Sequence, residues 1–154
     1  MKRQQTAGFR LASLLCGFCL AAAATTPAPA GEMKMEAQLI WGTNDEVSPD
    51  PDHKPVDAKV ARKLAGLPIK WKYYHLVTRK EFKVAEKATT TVTMSKDCEI
   101  KVKNVDGNSV ELQLVGKGKP IGKITQTLGK GKCLVTGGNA ANFTSWFVFL
   151  KQIE

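Results

Sequence analysis

The chain has 154 residues, 43% of them hydrophobic and 24% charged, with a formal net charge of +9. It is too short for two comfortable cores and too apolar for a disordered chain. Its 13 glycines and 7 prolines exclude collagen-like and low-complexity classes, and no apolar run approaches the ~20 residues of a membrane-spanning helix.

Lys2, Arg3 and Arg10 open the chain with no acidic residue before Glu32, an apolar stretch runs from Leu11 to Ala24, and small residues follow at Ala28-Pro29-Ala30. That three-part layout predicts a secretory signal peptide over residues 1–30, cut after Ala30. The apolar stretch is short for a permanent anchor, and Leu15 and Phe18 before Cys16 and Cys19 argue against lipid attachment. Removing 1–30 takes three of the 23 basic residues and none of the 14 acidic ones, so the domain at 31–154 carries +6. The expected location is periplasmic or secreted.

Along that domain, Met35, Ala37, Leu39 and Trp41 alternate with Glu36, Gln38 and Ile40, predicting an opening strand. Residues 42–55 hold three prolines and four acids and read as a long surface loop. Asp57 is placed to cap a short helix whose Val60, Ala61 and Leu64 share a face, and Gly66 followed by Pro68 ends it. Strands are expected next over Tyr73 to Thr78, more weakly over Glu81 to Val84, and over Thr89 to Met94. Cys98, Ile100 and Val102 then alternate with Glu99, Lys101 and Lys103. Asp106-Gly107 signals a two-residue hairpin into Val110, Leu112 and Leu114. Gly116-Lys117-Gly118-Lys119 turns into Ile121 to Leu128, and Gly129-Lys130-Gly131 turns into Lys132 to Thr136. Gly137-Gly138-Asn139 reads as a turn before Ser145 to Ile153, which is apolar on both faces and therefore expected to lie centrally, covered on both sides.

Short strands joined by Gly-rich turns predict an all-β domain, an antiparallel β-sandwich or small barrel with one short peripheral helix. Cys98 and Cys133 each share a face with apolar neighbours. In an oxidising compartment they are expected to form a disulfide, two separate thiols being the alternative.

The stretches Leu39-Ile40-Trp41-Gly42-Thr43-Asn44, Asp50-Pro51-Asp52-His53-Lys54-Pro55-Val56-Asp57 and Cys133-Leu134-Val135-Thr136-Gly137-Gly138-Asn139-Ala140 resemble a family of small, signal-peptide-bearing bacterial secreted or periplasmic proteins. The resemblance covers most of the domain and implies a bacterial, exported, single-domain protein. It brings no activity, cofactor or site residue with it.

The residues offer few catalytic constellations. His53, His75, Cys98 and Cys133 number enough for zinc, but their spacing matches no zinc pattern. Asp45, Glu46, Asp50 and Asp52 put oxygen ligands on one loop, yet a calcium loop's glycine and third ligand are missing, so a solvated acidic loop is expected. None of Ser48, Ser95, Ser109 or Ser145 sits in Gly-x-Ser-x-Gly. The Gly-Lys-Gly segments join strands instead of opening a helix, as a phosphate loop would. Asn142-Phe143-Thr144 matches a glycosylation acceptor only by accident in a bacterial chain, and Trp71, Tyr73, Tyr74 and His75 read as the seam of a strand. No catalytic residue, metal ligand or cofactor is assigned, and no enzyme activity is expected.

Lysines are the remaining signal. Lys117, Lys119, Lys130 and Lys132 crowd two glycine-rich turns, and, if those are neighbouring hairpin tips, form an anion-binding patch. Lysines also keep sheet edges unpaired. Arg62 and Arg79 are the only arginines after the signal, and no basic strand is studded with aromatics, which argues against nucleic acid. The expectation is a non-catalytic binding or interaction module of the bacterial envelope, its partner an anionic envelope polymer or surface. The alternative is an accessory subunit of a secretion or surface assembly that contacts another envelope protein through a sheet edge, with a small periplasmic enzyme third.

Overall fold

The computed structural model describes residues 31–154; the expected signal peptide lies outside the described residues. Nine strands and one helix follow in order: β1 (Met33–Thr43), β2 (Lys54–Pro55), α1 (Ala58–Ala65), β3 (Tyr73–Val84), β4 (Thr89–Ser95), β5 (Cys98–Asn104), β6 (Ser109–Gly116), β7 (Lys119–Thr127), β8 (Cys133–Asn139) and β9 (Ser145–Gln152). They form two antiparallel sheets, one ordered β2-β3-β1-β9-β8 and the other β4-β5-β6-β7. This is the all-β, two-sheet architecture with a single short helix that the alternation predicts.

Alternation assigns the faces. Met33, Met35, Ala37 and Leu39 of β1 and Val148 and Leu150 of β9 point inward, onto Ile100 and Val102 of β5 and Val110, Leu112 and Leu114 of β6, forming the core between the sheets. The opposite faces of β1 and β9 place Ile40, Phe147 and Phe149 beneath Val60 and Leu64 of α1. β9 is thus covered on both sides, as its two apolar faces require. Asp57 caps α1 by accepting from the Lys59 and Val60 amides at 3.0 and 2.9 Å. Those bonds, that to Val60 first, hold its carboxyl below the ordinary value, with Arg79 adding to the effect. Arg79 Nη2 lies 3.2 Å from Asp57 Oδ2, and its Nε faces the buried Glu36, which also takes Lys151 at 3.0 Å and the Gln38 amide at 2.6 Å. The helix cap is therefore wired to the sheet it covers.

Several expectations change. The two candidates over Tyr73 to Val84 are one strand, because β1 pairs with it from Thr43↔Tyr73 to Met33↔Val84. Asp106-Gly107 lies in a four-residue loop, with Asp106 Oδ1 accepting from the Asn108 and Ser109 amides. Gly137-Gly138-Asn139 is strand, paired to Phe147, Trp146 and Ser145.

The disulfide is also corrected: Cys98 and Cys133 are free thiols. Cys98 belongs to β5 and packs on the core between the sheets; Cys133 belongs to β8 and packs on the core beneath α1. Packed sheets lie ~10 Å apart, whereas bridged Cα atoms lie within ~7 Å. Both cysteines face apolar interiors, but not the same one.

Candidate functional site

Each sheet ends in two edges, and the described residues protect them unequally. β2 is only two residues long and ends in Pro55. β4 is bulged between Thr93 and Ser95. β7 carries Lys119, Pro120 and Lys123, is bulged against β6 opposite Leu114 and Val115, and is exposed along its whole length. Short length, bulges, lysines and proline are the devices that keep an edge from pairing. β8 has none of them. Its residues Cys133-Leu134-Val135-Thr136-Gly137-Gly138-Asn139 carry no charge, and its register with β9 runs unbroken from Cys133↔Lys151 to Asn139↔Ser145. Among the described residues, no further strand pairs with its outer edge.

Beside that edge, on the face carrying α1, lies a groove of about 460 Å³. Val135, Gly137 and Phe147 form its floor, and Leu67, Pro68 and Trp71 its wall. The wall is the segment joining α1 to β3, anchored because Ile69 and Trp71 pack into the core beneath the helix. Gly137 is required here: a Cβ would collide with the Trp146 carbonyl oxygen and come within 2.9 Å of Phe147 Cα. Two strands that close leave room for glycine only, which explains a Gly-rich stretch inside a strand.

The inner face on this side is also open. Ile124 pairs with Leu112 and so faces inward, yet it is 38% exposed, and Ile121 is 54% exposed. The sheets part along the side where β7 and β8 lie.

The four lysines do not come together. Lys117 and Lys119 sit where β6 turns into β7, a two-residue turn in which Lys117 and Gly118 both have positive φ, as a type I′ hairpin needs. Lys130 and Lys132 sit beyond the other end of β7, whose nine residues span roughly 30 Å at ~3.3 Å per residue. The second turn is a crossover between sheets, not a hairpin. Lys132 immediately precedes β8, and Lys70 lines the far end of the groove, so positive charge brackets the bare edge instead.

The remaining sequence candidates are local. His53 and His75 flank Trp41, with ring centroids at 6.0 and 5.7 Å. Ser48 Oγ lies 2.8 Å from His53 Nδ1, and His53 Nε2 lies 3.6 Å from Asp50 Oδ2. This trio resembles a hydrolase relay in composition only. Ser48 Oγ already accepts the Asp50 amide at 3.2 Å, and the three brace one loop. Asp50 Oδ1 accepts the Asp52 amide and Asp45 Oδ2 faces Thr43 Oγ1, so two of the loop acids also serve the loop itself. Among the described residues, no three His, Cys, Asp or Glu side chains gather as a metal site would require. Of Trp71, Tyr73, Tyr74 and His75, Trp71 and Tyr74 pack beneath the helix, where burial pushes the Tyr74 hydroxyl's pKa up.

Sequence reasoning missed the groove, because its wall comes from an irregular segment and its floor from a stretch read as a turn. The legible signal was Val135 and Phe149 side by side on an apolar face, next to a run with no charge. Set against protein-family models, curated proteins and solved structures, the chain matches none of them.

Proposed function

We propose that this protein is a non-catalytic module of the bacterial envelope that binds another protein by adding an extended segment of it to the β8 edge. The observation that carries the reading is the bare, unbroken edge of β8 lying against an apolar groove. An added strand gains main-chain hydrogen bonds along the edge, and every second side chain turns into the groove between Phe147 and Leu67. Side chains on its other face meet the opening lined by Ile124. Lys70 at one end and Lys132 at the other select a segment with acidic residues flanking its apolar positions, since complementary charge sets register and encounter rate. The dispersal of the lysines turns the balance from an anionic polymer toward a protein partner. The assignment to the envelope rests on the charged and apolar pattern of residues 1–30.

A screen of seven-residue peptides against the protein, followed by backbone amide shift mapping, tests the proposal. Binders should alternate apolar and acidic residues, perturb Val135 to Asn139 most, and weaken with salt, because exposed charges are screened over ~8 Å at physiological ionic strength. Binders that perturb β2 or β7 and leave β8 unmoved would overturn it.

A further inference from the structure

A second cavity lies between the sheets, at the end where β6 turns into β7, on the other side of sheet β2-β3-β1-β9-β8 from the groove. Its volume is about 420 Å³, within the range of small-molecule sites. Leu39 and Trp146 line it from one sheet and Cys98 and Ile121 from the other. The β6–β7 bulge creates part of the wall by swinging Ile121 over Gly116, where its Cδ1 takes the place a Cβ would need. Ile121 is 54% exposed although it lines this cavity, so a ligand would remove apolar surface from water that folding leaves wet.

The polar groups present are few. Ser95 Oγ accepts the Asp97 amide at 3.3 Å, leaving its hydroxyl proton to donate. Asn139 also lines the cavity, but its side chain turns to the other face of the sheet, where Oδ1 accepts from Ser145 Oγ at 3.3 Å, so Ser95 is the donor that faces the cavity. Asp97 and Lys117 both line the cavity, one charge of each sign. A hydroxyl donor beside an apolar interior with balanced charge matches an uncharged molecule with a hydrogen-bond acceptor.

We infer that this cavity is a binding site for a small, neutral, ring-bearing molecule that lies against Trp146 and Ile121 and presents a carbonyl-type acceptor to the Ser95 hydroxyl. The site is independent of strand addition at β8. It shares only Asn139 with the groove and needs neither Phe147 nor the wall formed by Leu67 and Pro68.

The naphthyl ketone dye Prodan, neutral and with a single carbonyl, is a suitable probe for the full-length protein. Its emission should shift to the blue and strengthen on binding. Bound dye should slow iodoacetamide labelling of Cys98 by about fivefold or more, measured by peptide mass mapping, while Cys133 beyond the sheet labels at an unchanged rate. Ala141→Trp, which fills the mouth from an exposed loop, should weaken dye binding about tenfold or more. Ile121→Asp, at a half-exposed position, should do the same and covers the case in which Ala141→Trp fails to fold. Ala141→Trp should leave binding of β8-directed peptides unaltered. Unchanged emission, unprotected Cys98, or full affinity in the folded variants would overturn the inference and leave the reading of β8 standing.

Discussion

Strands β7 and β8 lie along the same side of the sandwich, follow one another in the chain and are both edges, yet they solve the edge problem in opposite ways. β7 has two lysines, a proline and a bulge, and every residue is exposed. β8 has no charge and no bulge, and shelters an apolar groove. Both contain turn-forming residues, so turn propensity does not separate them. The difference singles out β8 as the one undefended edge among the described strands, the edge on which the proposed partner strand would add.

The sharpest test of that contrast applies the same Gly→Ala change to each strand. Gly137→Ala forces a methyl into the β9 backbone and should cost about 1–3 kcal/mol, read from denaturant midpoints. Gly122→Ala in β7 meets nothing within 4 Å and should fall within about 0.5 kcal/mol of the parent. Equal losses would mean that β8 and β9 are not so closely apposed.

A smaller effect is expected from the helix that supports the groove wall. Asp57→Ala removes the cap of α1 and should cost about 1 kcal/mol, while Asp57→Asn keeps the capping oxygen and should cost less. The sign with pH is defined: Asp57 and Asp106 both have lowered pKa values in the folded protein. Their stabilisation is therefore present above the ordinary value of 3.8 and is lost as pH falls through the lowered values. Asp57→Asn should flatten that acid limb in a pH series of thermal midpoints, and an unchanged limb would exclude Asp57 as a contributor.

Strand order and exposure explain why these edges were only half legible in the sequence. Alternation located the element cores, the helix with its Asp57 cap and the central position of β9, because each of those follows from local periodicity. The charged triplet Arg79-Lys80-Glu81 masked the middle of β3, where pairing with β1 overrides local pattern. The glycines of β8 read as a turn because their reason is the β9 backbone, invisible from β8 itself. The cysteines were assigned apolar faces correctly, but one chain cannot reveal from periodicity that there are two separate cores. Asn104 carried no signal at all. It is fully buried, and its amide donates to the Gly31 and Val84 carbonyls while its Oδ1 accepts the Gly107 amide.

The least perturbing prediction concerns β7. Replacing Lys119 and Lys123 by Thr should leave the thermal midpoint nearly unchanged, because the Lys123–Glu111 pair at 3.0 Å is largely exposed and such pairs contribute ~1 kcal/mol at most. Sedimentation should nonetheless show self-association rising with concentration, as the variant's β7 loses its protecting charges. A variant that stays monomeric would assign the protection to Pro120 and the bulge alone.

The Asn104 clamp gives the molecule a polarity. It holds Gly31 at the end of the sandwich where β3 finishes, and Glu154 returns to the same end, its carbonyl 3.4 Å from the Lys34 amide and its carboxylate 3.0 Å from Lys34 Nζ. The Ala140–Thr144 loop, with Phe143 94% exposed, lies at the opposite pole. A tether joined at the Gly31 and Glu154 end of the sandwich would therefore orient every molecule alike on a sensor surface, with the aromatic loop turned outward. Captured through an internal lysine, the same protein would lie in mixed poses.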